Sequence, residues 1–366
     1  MLALMRLLYL YPEEWTGHRA REVHTLSTCI ALAQEGVDVT LVTAGGKQKL
    51  HEHLRDIAGR LQVAGLTLVT LSRRWGPVRS SSIFKHQFHT WRRNQPRFDC
   101  AYIIHLKAAA MLVHEHVMPY AYEAHEIFAQ TPQRSPKKES RLHELERHVL
   151  AGAGWRIATS APLAAGLSTW FTLPNDFAVV PNAGLPPLPA RIGAPEGPFV
   201  YCGSISDWKG LHLAIQGSHD AGVALKIVGG TREEWKRLGE SVDTAGIEWH
   251  PRVTLAALPS ALAGACAGLI PTQPESPSGR YSCPMKLFDY ARCGLEVITT
   301  ALPSLQSLEL GSWARQVEAP TREAWAAALR DFRFDIDEDE AARAWAANHT
   351  WAKRAERIIT VLRKKA

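Results

Sequence analysis

The sequence predicts an α/β protein with two parallel-sheet domains, and three observations support this. Apolar, strand-like runs alternate with helix-like segments along most of the chain. The alternation stops in a segment rich in proline and glycine near the middle and then restarts. The 366 residues exceed the size of one ordinary domain. Because strands that alternate with helices form parallel sheets, each half predicts a sheet covered by helices.

The first half opens with a βαβ pattern. Leu2–Leu10 is a continuous apolar run that ends before Pro12, as expected of a strand buried on both faces. A helical pattern spans Arg19–Gln34, and Val37–Thr43 is the next strand. The remaining predicted elements are strands at 66–71, 100–104, 120–123, 156–159 and 177–180, with helices that include 138–150 and 161–170.

The second half follows a predicted linker. Leu185–Pro198 is rich in Pro, Gly and Ala and has no periodicity. The alternation restarts at Phe199–Cys202. Later predicted elements are strands at 224–228, 247–250, 268–271 and 296–299 and helices at 322–332, 338–348 and 351–363. Two such sheets would leave a cleft at the carboxyl ends of their strands, where open parallel sheets bind ligands.

Composition favours a cytoplasmic protein. No run of about 18 apolar residues could span a membrane. The N-terminal apolar run contains Arg6 and leads directly into patterned sequence, so we interpret it as a strand and not as a signal peptide. The six cysteines are scattered without close pairs, which favours a reducing compartment and argues against a zinc site.

The net charge of +6 is concentrated in one segment of the first half, residues 72–98. The segment contains basic side chains and no acid, with aromatic residues between them: Arg73, Arg74, Trp75, Arg79, Phe84, Lys85, Phe88, Trp91, Arg92, Arg93 and Arg97. Such a face could lie on an anionic membrane or hold a phosphorylated acceptor. The alternative is a solvated helix whose aromatic side chains belong to the core.

The strongest local motif is Phe199-Val-Tyr-Cys-Gly-Ser-Ile-Ser-Asp-Trp-Lys-Gly210, a strand followed by a polar turn. Gly203 allows the backbone to turn close to a ligand. Lys209 is predicted to open a helix, where its amine and the free amides would face an anion. The alternative is that Lys209 is an ordinary exposed residue.

A second motif, Ser282-Cys-Pro-Met-Lys-Leu-Phe-Asp-Tyr-Ala291, predicts another helix start. Pro284 suits the first helical turn, so the amides near Cys283–Lys286 are predicted to form a second anion-binding site. Asp289 lies one turn later, within reach of a hydroxyl pair such as that of a ribose.

In their order along the chain, these motifs resemble the retaining GT-B glycosyltransferases of the family 4-like group. The matching features are the Gly17 loop, Gly36–Thr43, His125 within Tyr122–Glu126, Ser160 in Ala158–Ser160, Pro181-Asn182, Gly203 to Gly210, Lys286–Gly294 and the helix that begins at Trp351. The resemblance implies two Rossmann-like domains facing a cleft. Their expected bounds are 1–184 on the acceptor side, a linker at 185–197, 198–345 on the donor side, and a C-terminal helix at 346–366 that crosses back to the first domain.

The resemblance also implies site residues and partners. His125 and Lys209 would be catalytic, and His125 would contact the donor sugar. The alternative is that His125 is a buried histidine whose hydrogen bonds are made within the protein core. The implied donor-binding residues are Gly17, Gly203, Ser204, Lys209, Tyr281, Ser282, Cys283, Pro284, Met285, Lys286 and Asp289. The partners would be a nucleoside-diphosphate sugar and a hydroxyl acceptor, with no nucleic acid, no cofactor and no required metal.

Two positions depart from the family pattern. Tyr281 stands where the family usually has an acid that holds sugar hydroxyls, and Glu275 could replace it only if its loop folds back. Ser204 stands where the family often has arginine, so Lys286 or Arg280 would have to supply the missing cation. These departures leave two alternatives open: a nucleotide-sugar epimerase on the same fold, or an inactive relative that binds sugar nucleotides or supports a partner.

Other motifs do not predict metal sites. Asp335-Ile-Asp337 lies where acids are favoured at a helix start. His143 and His148 are five residues apart and lie on different faces of a helix. His51-Glu-His53 and His114-Glu-His116 are weak matches.

Overall fold

The computed structural model describes residues 5–113, 118–130 and 135–364. The chain divides into two compact units. Unit 1 comprises Met1–Pro181 and Trp351–Ala366, and unit 2 comprises Asn182–Thr350. The chain therefore passes between the units at two places, Pro181–Asn182 and Thr350–Trp351. The rejected His114-Glu-His116 motif lies outside the described residues.

Unit 1 is an α/β unit whose strands and helices alternate as the sequence predicts. Its strands are β1 Arg6–Tyr11, β2 Asp38–Thr43, β3 Leu66–Thr70, β4 Arg74–Trp75, β5 Val78–Arg79, β6 Cys100–Ile103, β7 Tyr120–Ala124, β8 Trp155–Ala158 and β9 Ala178–Val179. Its first six helices are α1 Ala20–Gln34, α2 Lys47–Ala58, α3 Ser81–Arg93, α4 Leu106–Val113, α5 Pro136–Gly152 and α6 Ala161–Phe171.

The main sheet of unit 1 is parallel and, within the described residues, has the order β3-β2-β1-β6-β7-β8-β9. Leu8 of β1 lies opposite Thr40 on one side and Ala101 on the other. Leu7–Tyr11 are fully buried, because helices cover both faces of a parallel sheet. The strand order reverses between β1 and β6, and the loops that follow such strands are where open sheets bind ligands.

The basic segment 72–98 folds into a hairpin and a helix. Strands β4 and β5 pair antiparallel, and α3 follows them. Phe84 and Phe88 of α3 are buried, as the core alternative predicted. Trp75 and Val78 near the hairpin turn are instead exposed, at 78% and 59%. The segment therefore combines a helix packed on the core with an exposed aromatic and aliphatic tip.

Unit 2 has the same class of fold. Its strands are β10 Phe199–Cys202, β11 Leu225–Val228, β12 Glu248–His250, β13 Ala267–Ile270, β14 Glu296–Thr300 and β15 Ala314–Val317. Its helices are α7 Leu211–Ala221, α8 Arg232–Gly239, α9 Leu258–Leu262, α10 Pro277–Tyr281, α11 Met285–Arg292, α12 Arg322–Arg330 and α13 Ile336–Ala347. The parallel sheet has the order β12-β11-β10-β13-β14-β15, with its reversal between β10 and β13.

The predicted linker, residues 185–197, is fixed to unit 2 along its length. The amides of Leu188 and Ile192 donate to the carbonyls of Arg292 and Cys293, at 2.9 and 3.2 Å. Arg191 pairs with buried Asp339 at 2.8 Å. The segment has no helix or strand, as its composition indicates, but its backbone groups are satisfied by unit 2. The Pro and Gly content of this segment therefore goes with a lack of helix and strand and not with a lack of contacts to unit 2.

The last helix, α14 Trp351–Arg363, packs against α1 and belongs to unit 1. Its buried residues are Trp351, Arg354, Ala355, Ile358, Ile359 and Leu362, a stripe with helical spacing. Arg354 is the charged member of that stripe and is only 3% exposed. Among the described residues, no helix is long and apolar enough to cross a membrane.

Candidate functional site

The turn after β10 is built for a close approach of the backbone. Gly203 has a φ of +150°, and its amide donates to the carbonyl of Val228 at 2.9 Å. Gly229 follows the neighbouring strand, and a Cβ there would lie 2.1 Å from the Gly203 carbonyl oxygen. The Tyr201 hydroxyl donates to the Ser204 carbonyl at 2.8 Å. These contacts fix the conformation of the turn at 203–204 without a ligand.

Two lysines converge on this turn. Lys209 Nζ donates to Ser204 Oγ at 2.7 Å. Lys286 Nζ lies 3.7 Å from the centre of the Tyr201 ring and 3.1 Å from the position that a Cβ on Gly203 would take. Lys286 Nζ is buried and lacks a hydrogen-bond partner, and neither lysine forms an ion pair with any described residue. The turn therefore carries two lysine amines, and among the described residues no carboxylate pairs with either of them.

Burial makes both ammonium groups costly. It lowers the pKa of Lys209 to about 8, and the charge of Arg252 adds to this effect. Burial, together with the charge of Lys209, lowers the pKa of Lys286 well below its usual value. An anion at the turn would reverse both shifts, because opposite charge favours the protonated amine.

Helix α11 is anchored to the same turn by Tyr290. The Cys202 amide donates to the Tyr290 hydroxyl at 2.6 Å, and the Tyr290 ring occupies the space beside Gly268, where a Cβ would lie 2.5 Å from it. Lys286 is one helical turn before Tyr290, so this anchor positions its amine. At the start of the helix, Asn182 Nδ2 donates to the Cys283 carbonyl at 2.5 Å.

The structure changes two details of the predicted helix starts. Lys209 does not open a helix: it ends the 3₁₀ turn Asp207–Lys209, and α7 begins at Leu211. Gly210 separates them with a φ of +64°, and a Cβ at that position would lie 1.8 Å from the Pro271 carbonyl oxygen, so only glycine fits there. Pro284 is the residue that precedes α11 and is not in its first turn. The amides of Met285 and Lys286 begin that helix and have no earlier helical carbonyl to bond.

The other predicted donor residues lie on α10 and α11 or next to them. Tyr281 is buried at the end of α10, and Ser282 is half-buried. Asp289 is half-buried on α11, and burial raises its pKa to about 6. Glu275 and Arg280 lie at the surface, 3.6 Å apart, with the Glu275 side chain 88% exposed. Lys286, and not Arg280, is therefore the cation found beside Gly203.

In unit 1, the Gly17 loop is held by a carboxylate that the sequence analysis missed. Gly17 has a φ of +80°, a conformation that favours glycine, and a Cβ there would lie at ordinary van der Waals distance from Lys49. Glu22, fully buried in the first turn of α1, accepts from the amides of Thr16, His18 and Arg19 at 2.7, 3.0 and 3.1 Å. The loop conformation is thus fixed before any ligand binds.

His125 directly follows β7 and contacts a buried charged cluster. Its Nε2 lies 2.8 Å from Glu123 Oε1, and His24 Nε2 lies 3.0 Å from the same oxygen. Arg354 Nη2 donates to that oxygen at 2.6 Å, and the Tyr102 hydroxyl donates to Glu123 Oε2. The His125 side chain is 27% exposed, whereas Glu123 is fully buried. We refer to these residues as the Glu123 cluster.

Arg354 balances the charge of this cluster. Burial alone would raise the pKa of Glu123, but the charge of Arg354 holds it well below its usual value. Burial lowers the pKa of His24 to about 3, so that ring is neutral. His24, Glu123 and His125 have the spacing of a metal site, with ligand atoms within 4.8 Å of one another. However, the Arg354 guanidinium already provides the positive charge at the shared oxygen.

The sequence contains signals that could have identified Glu123 and Arg354. Glu123 interrupts an otherwise apolar strand, and Arg354 lies on the apolar stripe of α14. A charge in such a position usually has a buried partner, because an unpaired buried charge is expensive. Their pairing across 231 residues could not be deduced from the sequence.

Comparison with known proteins gives the same picture for both halves of the chain. Residues 19–183 match the family described as Glycosyl transferase 4-like domain, and residues 204–360 match the family described as Glycosyl transferase-like. No curated protein matches the sequence.

Solved structures with a similar fold cover nearly the whole chain. Sucrose-phosphate synthase from Thermosynechococcus elongatus has a TM-score of 0.70 and 15% identity, covering 98% of each chain. HepE from Anabaena, in complex with UDP and glucose, has a TM-score of 0.69 and 15% identity, covering 98% of this chain and 99% of its own. WaaG, a glycosyltransferase involved in lipopolysaccharide biosynthesis, has a TM-score of 0.66 and 14% identity, covering 97% and 99%. The chain therefore belongs to the glycosyltransferases and has two parallel-sheet domains of the GT-B fold.

Proposed function

We propose that this enzyme transfers a hexose from a nucleoside-diphosphate sugar to a hydroxyl acceptor with retention of configuration. The observation that carries the proposal is the pair of half-buried lysines at the Gly203–Ser204 turn, neither of which forms an ion pair with a described residue. A diphosphate supplies the missing negative charge. The free amides at the start of α11, the helix that carries Lys286, add hydrogen-bond donors for an anion.

The chemistry requires little else from unit 2. The bond between the anomeric carbon and the diphosphate oxygen breaks, and negative charge grows on the leaving diphosphate. Lys209 and Lys286 stabilise that charge more in the transition state than in the ground state. The acceptor oxygen bonds to the same face of the sugar, and its proton passes to the leaving phosphate. In this proposal the lysines neutralise the diphosphate, so no metal ion is needed.

The remaining donor contacts follow from position. Asp289 is assigned to the ribose hydroxyls, and Gly17 to the approach of the unit 1 loop toward the phosphates and sugar. Tyr281 cannot hold sugar hydroxyls as a carboxylate would, so we assign these to Glu275 and Arg280, whose surface pair would open on binding. The UDP bound to the structurally similar HepE makes UDP sugars the first donors to test, followed by GDP sugars.

His125 is assigned to the donor sugar near its reacting carbon. Its half-exposed ring at the end of β7 supports this role, because the carboxyl ends of parallel strands are where such sheets bind substrates. We expect His125→Ala to lower the transfer rate while leaving the affinity for free nucleoside diphosphate within about twofold of wild type. Full activity of the variant would remove His125 from the site.

The acceptor is proposed to be a glycan or lipid-linked hydroxyl at the cytoplasmic face of a membrane. The exposed Trp75 and Val78 beside Arg74 and Arg79 support this, since aromatic tips flanked by arginine bind anionic lipid surfaces. Flotation with vesicles containing phosphatidylserine tests it: wild type should float at low salt, and Trp75→Ser should not. Absence of wild-type flotation would favour a soluble acceptor.

Donor turnover tests the whole proposal. Purified enzyme is incubated with UDP and GDP hexoses, with and without candidate acceptors, and the released nucleoside diphosphate and the sugar are analysed. Release that increases with acceptor, together with an α-linked product from an α-linked donor, supports retaining transfer. Conversion of the donor sugar without acceptor would instead indicate an epimerase, and binding without turnover would indicate an inactive relative.

A further inference from the structure

The Glu123 cluster controls a specific property of His125, namely which ring nitrogen carries the proton. Nε2 of His125 lies 2.8 Å from Glu123 Oε1. If Nε2 were unprotonated, its lone pair would face a carboxylate oxygen at contact distance, which is electrostatically unfavourable. In the neutral ring Nε2 therefore carries the hydrogen, and Nδ1 carries the lone pair.

Glu123 is itself held in place from several directions. Arg354 Nη2 donates to Oε1 at 2.6 Å, and the Tyr102 hydroxyl donates to Oε2. The guanidinium also donates to the Pro181 carbonyl at 2.9 Å and to Thr28 Oγ1 at 3.1 Å. The carboxylate can neither rotate nor become protonated without breaking contacts to α1, α14 and β6.

Oε1 is crowded, which explains an otherwise unusual feature of the cluster. Three nitrogens approach this one oxygen, from Arg354, His24 and His125, and the two histidine nitrogens lack the alignment of full hydrogen bonds. The guanidinium forms the well-aligned bond. The imidazoles are thus oriented mainly by charge, which favours N–H toward the carboxylate but does not require ideal angles.

We propose that Glu123 and Arg354 are positioning residues that fix His125 as the Nε2–H tautomer, so that Nδ1 accepts a hydrogen bond from a substrate hydroxyl. The role toward substrate rests on the proposed function of His125, whereas the tautomer does not. Arg354 lies one helical turn after Trp351, where the chain re-enters unit 1, and it bonds Pro181, where the chain leaves that unit. The last helix is therefore part of the apparatus that orients His125.

Nitrogen-15 NMR of histidine-labelled enzyme tests the tautomer directly, because protonated and unprotonated ring nitrogens have different chemical shifts. The sequence has 16 histidines, and the His125→Ala spectrum identifies the signal of His125. In wild type we expect a protonated Nε2 and an unprotonated Nδ1. The opposite tautomer in wild type would overturn the proposal without the need for any variant.

The variant that removes the positioning pair is Glu123→Leu with Arg354→Met. Replacing both charges by apolar side chains avoids leaving either one buried alone, so the fold is expected to survive. We expect the His125 signals to move toward a mixture of tautomers and kcat to fall on the order of tenfold, as for partners that orient functional imidazoles. Unchanged His125 signals in the folded double variant would refute the positioning role.

Two controls separate positioning from general structural damage. Tyr102→Phe removes the donor to Oε2 but leaves Oε1 facing His125, so the tautomer should be retained. His125→Ala should cost less activity in the double-variant background than in wild type, because residues that act through one another are not additive. Additive losses of activity would contradict the coupling. If wild type has the expected tautomer but His125→Ala keeps full activity, the proposed function of His125 is refuted and the tautomer inference is not.

Discussion

Two charged clusters, one in each unit, are built in opposite ways. In unit 1, the single carboxylate of Glu123 meets a guanidinium, two imidazoles and a hydroxyl. In unit 2, the amines of Lys209 and Lys286 meet a serine hydroxyl and an aromatic ring, without an ion-pair partner among the described residues. The first cluster is complete without a ligand, whereas the second lacks an anion. In our proposals, the first cluster is a scaffold that orients His125 and the second is the site that binds the diphosphate of the donor.

The largest effect on stability is expected in the complete cluster. Arg354→Met leaves Glu123 buried without its main counter-charge, so the free energy of unfolding should fall by ~3–5 kcal/mol. Denaturant unfolding measures this loss. Adding Glu123→Leu should recover much of it, and a double variant no more stable than Arg354→Met would show that the pair is not the cause.

The largest effect on catalysis is expected in the incomplete cluster. Lys209→Ala removes one cation from the leaving diphosphate and should raise the barrier by ~2.7–4 kcal/mol, or about 10²–10³-fold in kcat. Steady-state kinetics with the best donor measures it. Ser204→Ala, which removes only the hydroxyl that holds Lys209, should have a much smaller effect. Equal losses in both variants would argue against a direct role of the amine.

Lys286→Met should separate stability from function. The substitution removes a buried amine that lacks a hydrogen-bond partner, so thermal stability of the free enzyme should rise by about 1 kcal/mol. Donor binding should weaken at the same time. A fall in the melting temperature would mean that Lys286 is a structural residue already satisfied by the Tyr201 ring.

A smaller effect is expected in the pH dependence of binding. Lys209, with a pKa near 8 in the free enzyme, is partly neutral at pH 8.5, and a bound diphosphate raises that pKa. Binding should therefore take up protons at pH 8.5, up to about one from Lys209, and affinity should fall as pH rises from 7 to 9. Calorimetry in two buffers of different ionisation enthalpy measures the uptake. Lys209→Arg should abolish the part of the proton uptake that comes from Lys209, because the guanidinium stays protonated in the free and bound enzyme.

Sequence reasoning worked best where the evidence is local. The apolar runs gave strands such as Phe199–Cys202 with their observed bounds, and the helix that begins at Trp351 ends at Arg363 as predicted. Asp335 proved to precede α13 and accepts from the Asp337 amide, as expected of a helix start and not of a metal site. These features depend on neighbouring residues, which the sequence displays directly.

Reasoning from sequence failed where distant segments meet. The proline-rich segment 185–197 is ordered by α11 and α13, and the exposed hairpin near Trp75 depends on a two-residue turn between short strands. Lys286 was one of two candidates for the missing cation, and only packing around Tyr290 and Gly203 distinguishes it from Arg280. Glu123 and Arg354 are far apart in the chain, so neither one predicts the other.

The most direct test of the central claim is the affinity for nucleoside diphosphate of Lys286→Met, measured by calorimetry beside Lys236→Met. Lys236 is an exposed lysine on α8 of the same unit and provides a matched loss of charge. If Lys209 and Lys286 bind the diphosphate, Lys286→Met should bind UDP or GDP at least about tenfold more weakly, and Lys236→Met should bind like wild type. Wild-type affinity in Lys286→Met would contradict the account.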